Sequence, residues 1–132
     1  MNKIYSNILD MVGNTPILKI NSIDTGLCEL YVKLENLNPG GSIKDRVGLQ
    51  MITDAENKGL LKKGGVIVEC TAGNTGLGLA LAAKLKGYKL ILVIPDKMSK
   101  EKVMHLEAMG VDIVFTRSDL SLIHIWRCRR WY

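Results

Sequence analysis

The stretch VIVECTAGNTGLGLALAAKLKGYKLILVI, residues Val66–Ile94, joins two β-branched runs through a glycine-rich loop and an alanine- and leucine-rich segment. Val66–Cys70 and Lys89–Ile94 have strand length and strand composition. Asn74–Gly87, apolar nearly all round, predicts a helix buried on most sides and stopped by Gly87. A third run, Val111–Phe115, follows SKEKVMHLEAMG, where Ser99 is the candidate N-cap, Val103 and Leu106 face inward and Gly110 is the stop. Strand–helix–strand–helix–strand at this spacing calls for parallel strands joined by right-handed crossovers, an α/β fold.

Upstream, RVGLQMITDAENKG predicts a helix with Val47, Met51, Ile52 and Ala55 on its inner face and Gly59 at its end. Ile17–Ile20 and Glu29–Glu35 alternate and predict an antiparallel pair across an NSIDTG turn. The 132 residues suit one domain. No apolar run nears the roughly 18–20 residues that span a bilayer, and the start lacks the apolar run of a signal peptide. Cys28, Cys70 and Cys128 show no metal or disulfide spacing. A cytoplasmic location is the resulting expectation. The formal charge of +5 falls to +2 without Arg127, Arg129 and Arg130, so the body is a poor nucleic-acid ligand.

Two constellations carry chemistry. In PGGSIKDR, Pro39–Arg46, Ser42 and Asp45 fit an N-cap and its reciprocal partner, which puts Lys44 in a first helical turn. A cation is unfavourable there, so the neutral, nucleophilic amine is easier to reach. Arg46, Lys58, Lys62 and Lys63 are free to face water. Spacing alone leaves a solvent-facing Lys44 as the simpler reading. CTAGNTGLG, Cys70–Gly78, follows a strand and opens a helix, which makes it a candidate site for a carboxylate or phosphate. Its glycines match neither the dinucleotide nor the P-loop fingerprint, and a tight turn with no ligand is the alternative. His105 lacks a partner at ligand spacing, and Cys70 is expected to pack.

The segments GNTPIL, KLENLNPGGSIKDR, ECTAGNTGLGLALA and GYKLILVIPDKMSKEK occur here in one order. Together they resemble the cysteine synthase and cystathionine β-synthase family of pyridoxal-phosphate enzymes, over about Tyr5 to Asp119. The resemblance implies a fold type II, tryptophan synthase β-like architecture: an incomplete parallel three-layer α/β unit preceded by a small antiparallel β element. It implies that residues 1–38 belong to a larger domain and residues 39–119 to a partial α/β domain. Residues 120–132 instead resemble translated sequencing-adapter DNA, so the natural protein is expected to continue past Asp119.

By this resemblance Lys44 holds pyridoxal 5'-phosphate covalently and moves protons at the substrate α-carbon. Asn74 hydrogen-bonds the cofactor's 3′ oxygen. Thr71, Ala72, Gly73, Asn74 and Thr75 grip the carboxylate of an amino-acid substrate. The family usually has serine at Ala72, which bears on substrate preference more than on cofactor use. The implied activity is β-replacement, of transferase or lyase type, making cysteine or cystathionine from serine or O-acetylserine with a sulfide or thiol. The full-length parent is expected to be a homodimer without nucleic-acid or membrane partners. Neither a phosphate loop nor a residue for the pyridine nitrogen is evident, so this polypeptide alone is expected to be inactive. Competing readings are a non-catalytic α/β anion-binding module, a serine/threonine dehydratase-like lyase, and a small protein with a nucleic-acid-binding tail.

Overall fold

A short 3-10 turn at Ile8–Met11 is the first element, with Leu9 buried and its N–H donated to the Asn7 side chain at 2.9 Å. Strands β1 (Ile17–Ile20) and β2 (Leu30–Lys33) follow, then helix α1 (Lys44–Asn57), strand β3 (Val66–Cys70) and helix α2 (Asn74–Lys86). Strand β4 (Lys89–Pro95), helix α3 (Lys100–Ala108) and strand β5 (Asp112–Thr116) complete it. This computed structural model describes residues 4–71 and 73–117. The expectations for Ala72, for residues 118–119 and for the tail at 120–132, Cys128 included, lie outside the described residues.

The α/β reading is correct in order and direction. β3, β4 and β5 form a parallel sheet in that order, with Ile67 beside Leu90 and Leu92 beside Ile113. β1 and β2 pair antiparallel, Leu18 opposite Val32 and Ile20 opposite Leu30. Ile67, Leu90, Leu92 and Ile94 are buried with Leu79, Ala80, Ala82 and Ala83 of α2 and Ile52 and Ala55 of α1. α2 thus lies between the sheet and α1, which is why it is apolar nearly all round. Gly87 ends it in the left-handed conformation at φ +77°, and Tyr88 N–H reaches back to the Ala83 carbonyl at 2.9 Å. β5 starts one residue later than expected because Val111 N–H is spent on the Leu106 carbonyl at the end of α3. Ser99 does precede α3, but its side chain makes no capping bond.

α1 meets α2 backbone to backbone. A Cβ on Gly48 would lie 2.3 Å from the Gly78 carbonyl carbon, and one on Gly78 would lie 2.3 Å from the Lys44 oxygen. This close crossing sets the rotation of α1: its buried positions are Asp45, Gly48, Ile52 and Ala55. The expectation for Val47 is therefore corrected. It is 36% exposed, because the contact runs through its glycine neighbour. At the far end of the helix pair, Lys86 Nζ lies 2.5 Å from Glu56 Oε2, and Tyr88 Oη donates to Glu56 Oε1 at 2.8 Å.

Gly48→Ala and Gly78→Ala should each destabilise the chain by about 2–3 kcal/mol in urea unfolding, the cost of overpacking a contact that has no side chain to move aside. The double variant should lose less than the sum, since one separation of the helices relieves both clashes. Losses within about 0.5 kcal/mol of zero would show that the helices do not depend on this contact.

Candidate functional site

Lys44 is the first residue of α1 and is half-buried. Its Nζ makes no hydrogen bond or ion pair among the described residues, and its N–H donates to Ser42 Oγ at 3.1 Å. The expected reciprocal cap does not form. Ile43, already helical, holds the cap position without a side-chain bond, and the first turn is tightened by Asp45 N–H to the Ser42 carbonyl at 3.4 Å. Asp45 turns instead to the preceding loop and accepts from Gly40 N–H.

Thr71 stands at the carboxyl end of β3, its N–H donated to the Val93 carbonyl at 3.3 Å. Its Oγ1 accepts from Gly73 N–H at 3.3 Å. Gly73 is the N-cap of α2 and supplies no side-chain cap, so first-turn N–H groups are left for a ligand. Asn74 opens α2 and is exposed, and Thr75 is half-buried. Gly76 leaves room for the Thr71 methyl, which a Cβ there would meet at 3.1 Å. Asn74 sits one helical turn before Gly78, and Lys44 one turn before Gly48. The glycine contact therefore sets the register of the two helix starts, with the Lys44 carbonyl against Gly78, one turn past Asn74. α2 itself starts at the carboxyl end of a parallel sheet, where α/β folds place ligands. Beside the two helix starts, a cleft of about 390 Å³ runs between Pro39–Gly41, Leu77 and Leu81 of α2, His105 of α3 and Met109 just past its end.

Sequence reasoning missed the network that anchors this turn. Arg46 does not face water freely: its Nε and Nη2 donate to Glu35 at 2.8 and 2.9 Å, and Nη2 also reaches the Gly13 carbonyl at 2.8 Å. Thr15 Oγ1 and Asn38 Nδ2 donate to the same carboxylate at 2.9 Å each, while Asn38 Oδ1 accepts from Gly13 N–H at 2.8 Å. Asn38 and Thr15 are buried. The Arg46 guanidinium, helped by Thr15 and Asn38, lowers the Glu35 carboxyl from its ordinary 4.5 to about 2. Asp45, three residues from Ser42 and 1% exposed, shifts the other way: burial raises its carboxyl, the Glu35 charge adds to the rise, and Gly40 N–H opposes it. Nothing periodic marks the partners of Arg46, Glu35 and the Gly13 carbonyl, which lie 11 and 33 residues away in the chain.

The geometry joins an unpaired amine to an uncapped helix start flanked by hydroxyls and an amide. Such a donor set suits a ligand that offers an electrophilic carbon and a carboxylate. Residues 8–128 match the family of pyridoxal-phosphate dependent enzymes, and the chain belongs to it. It is 52% identical over 122 residues to the cystathionine beta-synthase of Apis mellifera, covering 90% of this chain and 24% of that protein. It is 55% identical over 118 residues to a cysteine synthase of a Flavobacterium species, covering 89% and 38%. A hydrogen sulfide-producing enzyme from Fusobacterium nucleatum superposes with a TM-score of 0.82 at 46% identity, covering 94% of this chain and 42% of that one. The chain thus spans about a quarter to two-fifths of these relatives' length. No helix among the described residues is long and apolar enough to cross a membrane.

The Glu35 shift has a definite pH consequence. A carboxyl lowered on folding contributes stability that is fully present above 4.5 and is lost as pH falls through about 2. Glu35→Gln should therefore lower stability at neutral pH and flatten its pH dependence between those values. Asp45 acts with the opposite sign, because a raised carboxyl favours folding at low pH. Unfolding curves of the parent and the Gln variant that stay parallel from pH 5 to pH 2 would rule out the Glu35 contribution.

Proposed function

We propose that this chain supplies the lysine and the carboxylate-gripping loop of a pyridoxal-phosphate-dependent β-replacement enzyme. Its products would be cysteine or cystathionine, its donors serine or O-acetylserine, its acceptor a sulfide or thiol. The observation that carries this reading is the pairing of two helix starts by one glycine contact, with Lys44 opening α1 and Asn74 opening α2.

Each residue has a role in that scheme. Lys44 would hold the cofactor covalently through its ε-amine, and that amine, set free when the substrate's amine takes its place, would take and return a proton at the substrate α-carbon. Asn74 donates to the cofactor's 3′ oxygen. Thr71, Ala72, Gly73, Asn74 and Thr75 hold the substrate carboxylate through backbone N–H groups and hydroxyls, which fixes the face presented to the lysine. Pyridoxal phosphate, when bound, supplies the electron sink for loss of that proton and of the β-substituent. Family membership supports the cofactor assignment, and the relatives named for cysteine and cystathionine synthesis support the reaction type. In the same reading the enzyme works in the cytoplasm as a homodimer, without nucleic-acid or membrane partners. Residues 1–38 join a larger domain, residues 39–119 form part of an α/β domain, and residues 120–132 are adapter-derived. The hairpin supports the first assignment: its Leu18, Ile20, Leu30 and Val32 share one face, and Leu18 and Val32 are 48% and 39% exposed.

Treating the chain with pyridoxal phosphate and borohydride, then mapping the modified peptides by mass, tests the assignment. Lys44 should be labelled in preference to the other lysines, and Lys44→Ala should lose that peptide without gaining another. Uniform labelling of exposed lysines would overturn it. Ala72→Ser should change the affinity for serine or O-acetylserine while leaving Lys44 labelling as it was. A change in labelling would instead tie residue 72 to the cofactor.

A further inference from the structure

Asp45 is the most costly side chain in the site. It is 1% exposed, its Oδ2 accepts from Gly40 N–H, and its Oδ1 is buried with no hydrogen-bond partner among the described residues. A buried carboxylate oxygen left unmet is unfavourable, so an apolar residue of similar volume would suit packing better. What the carboxylate does hold is the turn ahead of Lys44. Gly40 lies so close that a Cβ on it would sit 2.5 Å from Asp45 Oδ1. Gly41 then turns at φ +79°, with its N–H on the Asn38 carbonyl at 2.8 Å. Asn38 is itself bonded to Glu35, the partner of Arg46. The turn and the residues that follow Lys44 are thus linked by a chain of contacts, in which Asp45 bridges directly from helix to turn.

We infer that Asp45 is a positioning residue for Lys44, acting through the Gly40 N–H to hold the Pro39–Gly41 turn against the start of α1. It touches neither substrate nor cofactor in this role. The inference rests on the assignment of Lys44 above, but it makes a separate claim about the turn. Asp45→Asn keeps an acceptor oxygen for Gly40 N–H, whereas Asp45→Leu removes it at similar volume.

Two readouts on the full 132-residue chain separate the claims. The first is hydrogen exchange of the Gly40 amide by NMR. The second is the rate at which pyridoxal phosphate and borohydride label Lys44 relative to the other lysines. In the Leu variant, Gly40 exchange should rise about tenfold, the worth of one such hydrogen bond. Lys44 should lose its labelling preference, and the Asn variant should restore both. A structural role alone would move the unfolding midpoint without moving the ratio of Lys44 to other labels in the folded protein. If Asp45→Leu does not fold, Gly40→Ala replaces it, since its methyl drives the turn off the carboxylate and should give the same two losses. Unchanged exchange and labelling in the removing variant overturns the inference, as does an Asn variant no better than Leu. If the parent chain shows no preference at Lys44, the functional assignment fails, and Gly40 exchange alone decides the role of Asp45.

Discussion

The contact between Gly48 and Gly78 is the constraint on which the site depends. Two helices separated by ordinary side chains lie 8–10 Å apart and leave several ångströms of play in how they slide. Here neither helix has a Cβ at the crossing, and the Gly78 position abuts the carbonyl of Lys44 itself. Backbone against backbone offers no rotamer to adjust, so the axial register of α1 on α2 is set at one point. Lys44 and Asn74 each lie four residues before their glycine, so that single register fixes both. α2 is in turn fixed by packing on the sheet through Leu79, Ala80 and Ala83, whose small and branched side chains are buried against β3 and β4. Sheet, α2 and α1 form one chain of reference for the reactive lysine.

The glycine contact leaves the tilt and the first turn of α1 open, and two carboxylates close it. Glu35 and Asp45 lie on either side of the Lys44 turn and respond oppositely to it. Glu35 has a guanidinium, a hydroxyl and an amide bonded to it, so its charge is held far below the ordinary range. Asp45 has one N–H and a dry surrounding, so its charge is disfavoured, the more so for the Glu35 charge nearby. The first arrangement is a polar network with its members satisfied, which holds the Gly13–Thr15 segment, Asn38 and Arg46 in one geometry. The second is an unsatisfied group, and such groups persist where they position something. Their adjacency places a stabilising and a strained element within one turn of the same helix.

Much of the fold was legible because it rests on local period. The β-branched runs, the apolar α2 and the glycine stops at Gly59, Gly87 and Gly110 each carry their signal within a few residues. The failures share a cause. Val47 was expected inside because it is apolar at helical spacing, yet the crossing at Gly48 turns it outward. Glycine carries no hydrophobic signal, so periodicity cannot see a helix interface made of it. Ser42 and Asp45 matched a capping pattern, but the Asp side chain is short, and Gly40 N–H is the donor it meets. Arg46 looked solvated because its partners, Glu35 and the Gly13 carbonyl, are distant in sequence. Lys44 and the Thr71–Thr75 loop were legible as candidates from their position at helix starts, and the roles proposed for them come only from motif order.

A division of labour follows from where each constraint is anchored. Everything that locates Lys44 is either backbone, at Gly48 and Gly78, or a polar network reaching back to Gly13. None of it passes through the side chains of the Thr71–Thr75 loop. That loop is held by its own bonds, Thr71 N–H to Val93 and Gly73 N–H to Thr71 Oγ1, and by the start of α2. Its remaining N–H groups belong to a helix start, which attracts an anion through its backbone whatever side chains the loop carries. In the proposed function, side chains of that loop can therefore vary and retune which amino acid is held without moving Lys44. In the proposed function, the lysine is thus tied to the core through backbone, while the loop that grips the carboxylate works through its own N–H groups. A fold built this way can keep one reaction at the α-carbon while its donors and acceptors diverge.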